Sequence, residues 1–428
     1  MWLIFDALYL LGLLLLWPLL VIRRIRRGPG SVALRERLGG VPLRPVASRC
    51  VWIHAVSLGE MNATRTLVRD LHKLSPNTVI VISSTTQTGL AQARQLYPKL
   101  VVFRYPLDFS LVVRRVLDRI RPSAIVLMEL EVWPNLLDLA SARGIPVMIA
   151  NGRITAEKSV RRFNLPLLRT VARRMFGRLE YVAAQDPTYA ERFVRLGVPA
   201  ARVEVTGSLK YDTAEITDFI EGQDQLASAM QIDTESPLWV CGSTGPDEEA
   251  TILDAFQQLR AEFANLQLAI VPRKPERFDE VAQLIVERGL ACMRRSGKPT
   301  AMPNGAARVL LGDTMGELRK FYSLATVVFV GRTLVAMGGS DMMEVAALGK
   351  ATVVGPHTEN FAEAMEILRE RGGIVQISRS DELVKAIGDL LRDEQRRTTI
   401  GENGREAVRS KTGATAITVR RILDLIGA

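Results

Sequence analysis

Between residues 50 and 206, short aliphatic and β-branched runs recur with helix-length polar and mixed segments between them. They are Cys50–Val56, Val79–Ser83, Leu100–Arg104, Ala124–Met128, Pro146–Ala150, Tyr181–Ala184 and Val203–Thr206. Runs such as Ala124-Ile125-Val126-Leu127-Met128 show no alternation of apolar and polar positions, so strands covered on both faces are expected, as in parallel sheets. A looser polar stretch around Thr213–Pro237 interrupts the pattern. It resumes with Leu238–Cys241, Leu266–Val271, Val309–Leu311, Val327–Val330, Thr352–Val354 and Ile374–Ile377, and a helix-rich tail ends in Thr415–Ile426. The alternation predicts an α/β chain of two Rossmann-like, doubly wound domains facing across a cleft. The expected boundaries are 28–215 for the first domain, 216–236 for a linker and 237–412 for the second. A C-terminal helix over 413–428 is able to pack back on the first domain.

The first 22 residues break this rhythm. Met1–Ile22 is apolar apart from Asp6 and ends at Arg23-Arg24-Ile25-Arg26-Arg27. About twenty apolar residues suffice to cross a bilayer as a helix. A cleavable signal peptide would carry its positive charge before the apolar run rather than after it. Residues 1–27 are therefore expected to be a membrane anchor with a basic flank, single-pass or, because Pro18 interrupts the run, interfacial. Basic residues after the span place the rest of the chain on the cytoplasmic side.

Composition changes the picture in two respects. The 428 residues carry a net charge of +10, much of it in arginine clusters suited to phosphate groups. No nucleic-acid motif accompanies them, which leaves an anionic membrane or a phosphorylated substrate as the partner. The three cysteines, Cys50, Cys241 and Cys292, are widely spaced, and the three histidines are equally scattered. A zinc or redox site is not expected, and Cys50 and Cys241 read as small core residues.

Candidate chemistry lies after the strands, where doubly wound sheets bind ligands. The first strand runs into Ser57-Leu58-Gly59-Glu60, with a helix starting near Gly59. Glu60 is then either a carboxylate complementing the helix dipole or a base at the cleft edge. The fourth strand ends in Glu129-Leu130-Glu131-Val132-Trp133-Pro134-Asn135, and strand alternation places Glu129 and Glu131 on the same side. Later strand ends deliver Asn151-Gly152-Arg153 and Gly207-Ser208-Leu209-Lys210, adding two cations. The second half offers Pro272-Arg273-Lys274, Gly312-Asp313-Thr314-Met315-Gly316-Glu317 and the loop Gly338-Gly339-Ser340-Asp341-Met342-Met343-Glu344, which opens a helix. Helix-start amides suit phosphate, and Glu344 suits ribose hydroxyls. There is no Walker loop, no well-placed G-x-G-x-x-G and no Asp-x-Asp pair.

The ordered set of these segments resembles the Kdo transferases, the 3-deoxy-D-manno-oct-2-ulosonic acid transferases of bacterial lipid A biosynthesis. The matching pieces include Ser-Leu-Gly-Glu, Met-Glu-Leu-Glu-Val-Trp-Pro-Asn, Thr-Gly-Ser-Leu-Lys-Tyr-Asp, Val-Pro-Arg-Lys-Pro-Glu-Arg-Phe and Gly-Asp-Thr-Met-Gly-Glu-Leu, in order from residue 1 to about 361. The resemblance implies a GT-B fold, CMP-Kdo as donor, a lipid A precursor as acceptor, no cofactor and no metal, with the enzyme at the bacterial inner membrane. It implies inverting transfer with Glu60 as general base, and Glu129 and Lys210 as transition-state stabilisers. Pro272, Arg273, Met315, Gly316, Glu317, Asp341, Met342, Met343 and Glu344 match the CMP-binding segments. Ser57, Gly59 and Arg153 are candidates for the acceptor side.

The chain departs from the family pattern mainly in its second half. Gly245 and Lys274 stand where the family has His, Ser340-Asp341 replaces His-Asn, and Arg332 replaces Gly. The alternatives left open are transfer of a related acidic sugar, a nucleotide-sugar epimerase of the same architecture, and a non-catalytic membrane-associated binding protein.

Overall fold

The computed structural model describes residues 5–12, 14, 34–44, 48–155, 166–297 and 307–428. The chain divides into two compact units, Met1–Thr213 with Lys411–Ala428, and Ala214–Ser410.

The first unit is built on a seven-stranded sheet in the order β3-β2-β1-β4-β5-β6-β7. Its strands are β1 (Cys50–His54), β2 (Val79–Ser84), β3 (Val101–Arg104), β4 (Ala124–Met128), β5 (Val147–Gly152), β6 (Tyr181–Ala184) and β7 (Val203–Val205). Every pairing is parallel. The unbroken apolar runs are explained by burial: all five residues of β1 and of β4 are buried, because helices cover both faces. The chain leaves β1 in one direction through β2 and β3 and returns at β4, so the point where strand order reverses lies between β1 and β4.

Local signals set the helices. Ser57 caps the helix Leu58–Leu74 by accepting from the Glu60 N–H, and Glu60 reaches back to the cap, a reciprocal capping box. Pro134 stands in the first turn of the helix Pro134–Ala142, where its missing N–H costs nothing. No side chain of that helix caps it; instead Asp108, from the preceding helix's approach, accepts from Asn135 N and Leu136 N at 2.9 and 3.0 Å. The C-terminal helix Ala414–Ile426 lies against Leu58–Leu74, and its Ala414, Val419, Ile422 and Ile426 share a buried cluster with Met61 and Leu67.

The second unit repeats the plan, with strand order β10-β11-β9-β8-β12-β13-β14. The strands are β8 (Leu238–Thr244), β9 (Gln267–Pro272), β10 (Ala291–Arg294), β11 (Arg308–Leu311), β12 (Val327–Val330), β13 (Ala351–Val354) and β14 (Val375–Gln376). Strand order reverses between β8 and β12.

The structure corrects several expectations. β10 is an added strand: it is a four-residue edge element whose brief apolar stretch, Ala291–Met293, gives way at once to the charged Arg294, ion-paired with Asp313 and Asp279. Residues 216–236 belong to the second unit and contain the helix Gln223–Ala229. Alternation does not carry Glu129 and Glu131 along one strand face, because β4 ends at Met128 and Glu129 turns into the left-handed region at φ 56°.

Most of the expected anchor, together with the basic cluster Arg23–Arg27, falls outside the described residues. Residues 5–12 and 14 are helical. Asp6 accepts from Ser110 N, Ser110 Oγ and Asn135 Nδ2, and Tyr9 Oη donates to Asp108. Among the described residues, no helix is long and apolar enough to cross a membrane.

Candidate functional site

The reversal point of the first sheet gathers the candidate residues of that unit. Glu60 follows β1 by six residues and Glu129 follows β4 directly, and these two strands are neighbours. Both oxygens of Glu60 are engaged by its own helix start: Oε2 accepts from Val56 N at 2.9 Å and Oε1 from Ser57 N at 3.2 Å. The dipole-complementing role that the helix start suggested is thus real in the structure. It holds the carboxylate in one orientation at the sheet edge. Gly59 is exposed beside it.

Glu129 is half-buried, and its backbone N–H is fixed by Ala150 O at 3.0 Å. Burial raises its pKa, the charge of Glu60 adds to the rise, and Lys210 and Arg153 oppose it. Those four groups are therefore electrostatic neighbours, drawn from four different strand ends. Glu131 is pushed up to about 7, first by burial, then by Glu60, with Glu129 adding to the rise.

Asn151, which the motif reading quoted without giving it a role, fastens the strand ends together. It sits at φ 56°, and its Oδ1 accepts from Leu209 N at 3.0 Å and Ser208 Oγ at 3.4 Å, so the loop carrying Lys210 is tied to β5. Lys210 itself is exposed.

Beneath the carboxylates lies an aromatic stack. Trp133 packs on Tyr105 with ring centroids 5.2 Å apart, and Tyr105 lies 4.1 Å from His54. His54 is fully buried and held neutral, its pKa lowered to about 3 by burial. It is a core histidine, anchored to Ser83, rather than a catalytic one.

The second unit has its own arrangement at its reversal point. Glu248 accepts from four backbone amides: Gly245 N at 2.8 Å, Arg332 N at 2.5 Å, Thr333 N at 2.8 Å and Leu334 N at 2.9 Å. One buried carboxylate thereby binds the loop after β8 to the loop after β12. No local motif announces it, since three of its partners lie 84 to 86 residues away. Arg332 adopts φ 62°, a conformation uncommon without glycine. A side chain at Gly245 would meet Met337 Sδ at 2.8 Å and Arg332 Cγ at 3.2 Å, so the space beside Gly245 is already taken by Arg332 and Met337.

The expected donor residues divide by exposure. Arg273, Met315, Gly316 and Asp341 are exposed, and Glu317 and Glu344 are half-buried. Pro272, Met342 and Met343 are buried, so the two methionine side chains serve the core and only their backbone is available to a ligand. Glu344 is raised by burial and by Asp341 and is lowered by Arg319 and Arg273, which places two cations near it. Glu317 is held by Thr314 Oγ1 at 2.5 Å and by Arg295, and these bonds keep it below the usual carboxylate range against the effect of its burial. Gly338 and Gly339 both have positive φ, 78° and 87°, and a Cβ on Gly338 would collide with Asn360. In the Pro-Arg-Lys-Pro-Glu-Arg segment, Arg277 turns inward to a buried pair with Glu249 (2.7 Å), leaving Arg273 as the arginine that faces solvent.

Among the described residues seven non-glycine residues have positive φ, and of these Glu129, Ser243 and Arg332 stand at the ends of strands that flank the two reversal points, with Asn151 at the end of the next strand, β5. Strain of this kind clusters where side chains are held for function.

Comparison with known proteins adds the family. Residues 33–213 match the family model described as 3-Deoxy-D-manno-octulosonic-acid transferase (kdotransferase). The chain is 34% identical over 378 residues to the 3-deoxy-D-manno-octulosonic acid transferase of Haemophilus influenzae, covering 88% of this chain and 86% of that one. It is also 34% identical to the Bordetella pertussis protein of the same description, covering 98% and 99%. Among solved structures, the UDP-GlcNAc 2-epimerase of Neisseria meningitidis aligns over 88% of this chain and all of its own, with a TM-score of 0.54 at 13% identity, a likeness of fold alone. Two parallel-sheet α/β domains of GT-B type and a third of the sequence shared end to end with these relatives lead to one conclusion: the chain belongs to the 3-deoxy-D-manno-octulosonic acid transferase family of glycosyltransferases.

Proposed function

We propose that this protein transfers Kdo from CMP-Kdo to a lipid A precursor, with inversion and without a metal, and that Glu60 is the base. The observation that carries the reading is the set of Glu60, Glu129, Arg153 and Lys210 at the reversal point of the first sheet, coupled closely enough to move the ionisation of Glu129. In the proposed reaction the acceptor hydroxyl loses its proton to Glu60 as its oxygen attacks the anomeric carbon and the bond to the CMP phosphate breaks. Oriented carboxylates perform such proton transfers with gains of about 10²–10⁴-fold. Glu129 offsets positive charge developing on the sugar ring. Lys210 offsets the negative charge of the sugar carboxylate or the departing phosphate. In the second unit, Arg273 and the backbone of the Met315–Glu317 and Asp341–Glu344 segments bind the nucleotide, and Glu344 accepts from ribose hydroxyls.

A lipid acceptor calls for work at a membrane surface, and we place the enzyme at the cytoplasmic face of the bacterial inner membrane. The N-terminal helix supports this: Leu8, Leu10, Leu11 and Leu14 are each more than half exposed, while Asp6 and Tyr9 tie the helix to the first unit. Exposed leucines on a docked helix suit an interfacial anchor.

The test is to supply CMP-Kdo and a lipid A precursor to the purified full-length chain and follow the lipid by mass, with Glu60→Ala alongside. The wild type is expected to add Kdo, and the variant to lose at least about 100-fold in rate. No transfer by the wild type, with transfer from another CMP-linked acidic sugar, rejects Kdo. Isomerised free nucleotide sugar in place of lipid product rejects the transferase reading. Full activity in Glu60→Ala rejects the base.

A further inference from the structure

The end of β3 carries a buried cation that the proposed transfer does not use. Arg104, the last residue of that strand, is 7% exposed. Its guanidinium forms no ion pair among the described residues. Nη2 donates to Gln87 Oε1 and Nη1 to Thr85 O at 3.3 Å, both neutral acceptors, and Nε donates to nothing. An arginine cannot shed its charge, and a buried charge without a counter-ion is costly. The carboxylates close by in the fold are committed elsewhere. Glu36 accepts from the Arg104 backbone N–H at 2.9 Å and pairs with Arg94, while Asp108 accepts from Asn135, Leu136 and Tyr9.

Two further positive features converge on the same spot. Thr85 and Gln87 belong to the turn from β2 into the helix Gln87–Leu96, so the guanidinium stands at the N-terminal end of that helix. Thr86 caps the helix by accepting from Gly89 N at 3.1 Å, which leaves the amides of Gln87 and Thr88 without acceptors among the described residues. Arg37 is the second feature. Its carbonyl accepts from Leu107 N at 2.9 Å, and its half-buried side chain has no bonded partner among the described residues. Burial and the charge of Arg104 both lower its pKa. Two arginines and a helix start with no acid paired to them make a seat for an anion.

The place of this seat indicates which anion. Thr86 Oγ1 donates to Val56 O at 2.6 Å, and Val56 N donates to Glu60 Oε2 at 2.9 Å. Two hydrogen bonds to one residue keep the helix cap within about 10 Å of the proposed base. On the other side, Leu107 leads within three residues to Ser110, whose N–H and hydroxyl donate to Asp6 of the N-terminal helix with the exposed leucines. The seat lies between the base and that apolar helix. A lipid with acyl chains at the leucines and its reacting hydroxyl at Glu60 brings a phosphate on its sugar past this point.

We propose that Arg104 and Arg37, with the Gln87 and Thr88 amides, bind a phosphate group of the lipid acceptor and so select phosphorylated acceptors. Arginine forks and helix-start amides both match phosphate oxygens. The inference rests on the transferase reading and deepens it on the acceptor side.

The test is steady-state Kdo transfer by the full-length enzyme to a lipid A precursor and to the same lipid stripped of phosphate. Wild type is compared with Arg37→Gln, Arg104→Gln and Arg104→Lys. The wild type is expected to lose about 100-fold or more in kcat/KM when the phosphate is removed. Each Gln variant is expected to lose about 10- to 100-fold on the phosphorylated lipid, mostly in KM. On the stripped lipid, and in KM for CMP-Kdo, the change should stay below about threefold. Arg104→Lys should recover part of the loss, and Arg37→Gln carries the test should Arg104→Gln fail to fold. Inorganic phosphate should compete with the acceptor in the wild type and less well in Arg37→Gln. Equal losses on both lipids, or a loss confined to KM for CMP-Kdo, overturn the proposal. A wild type that uses both lipids equally while inorganic phosphate still binds also overturns it, because the seat then serves free phosphate. Absence of transfer by the wild type to either lipid is a different result and overturns the reading on which the proposal rests.

Discussion

At the scale of single residues, buried carboxylates do most of the organising. Asp108 accepts from two helix-start amides and from Tyr9, and burial still lifts its pKa to about 7, helped by Asp6. In the unfolded chain it ionises near the usual aspartate value, about 4. A folded pKa above the unfolded one gives stability that is complete below about pH 4 and is lost as pH rises through about 7. His54 slopes the opposite way over much of the same range, because its folded pKa is depressed, and Glu131 slopes with Asp108. The contribution is therefore read as a difference. Asp108→Asn keeps the shape but cannot ionise. Relative to wild type it should gain on the order of 2 kcal/mol between pH 5 and pH 7, measured by urea unfolding at each pH. A constant difference across that range would show that Asp108 is ionised throughout.

At the scale of elements, the sheet was largely written in the hydrophobic pattern, while the ties between loops were not. β4, β6 and β12 begin and end at the residues the apolar runs mark, since strands buried on both faces leave a continuous signal. β10 escaped because an edge strand covers less apolar surface and ends in an ion-paired arginine. In the site, Glu60 and the helix it starts were legible from Ser57-Leu58-Gly59-Glu60, a local capping signal. The relation of Glu129 to Glu131 was misread because a single left-handed residue ends the alternation. Glu248 was invisible for a different reason: its hydrogen bonds join segments far apart in sequence. Those bonds make a prediction at this scale. Glu248→Gln leaves about half of the four buried amides without an acceptor, at a cost of roughly 2–4 kcal/mol to the second unit in urea unfolding. Because Gly339 N donates to Arg332 O at 2.8 Å, loosening the Arg332–Leu334 loop also loosens the glycine turn before Asp341. Affinity for CMP should fall with it, by about tenfold or more in calorimetric titration. A folded variant with wild-type affinity would separate this loop pair from nucleotide binding.

At the scale of the whole molecule, the order of the chain makes the first unit depend on its last eighteen residues. The second unit, Ala214–Ser410, is inserted between the short 3₁₀ turn Tyr211–Thr213 and the returning segment Lys411–Ala428. Asp212 fastens the return by accepting from Gly413 N at 2.7 Å and from Thr415 N, and Thr415 Oγ1 meets Thr66 Oγ1 at 3.0 Å. Thr66 belongs to the helix Leu58–Leu74, whose first turn holds Glu60, so the terminal helix braces the element that orients the proposed base. Val419, Ile422 and Ile426 are each at least nine-tenths buried. At about 1.5–3 kcal/mol for each buried aliphatic side chain, their loss amounts to several kcal/mol. A domain has only about 5–15 kcal/mol to lose. A chain ending at Ser410 should therefore lose the calorimetric transition of the first unit, or show it at much lower temperature, while the second unit keeps its own. Transfer activity should vanish with the first transition, and a peptide of residues 411–428 added at high concentration should restore part of both. If the shortened chain keeps both transitions and its activity, the terminal helix is a passenger on the first unit rather than a brace for its catalytic helix.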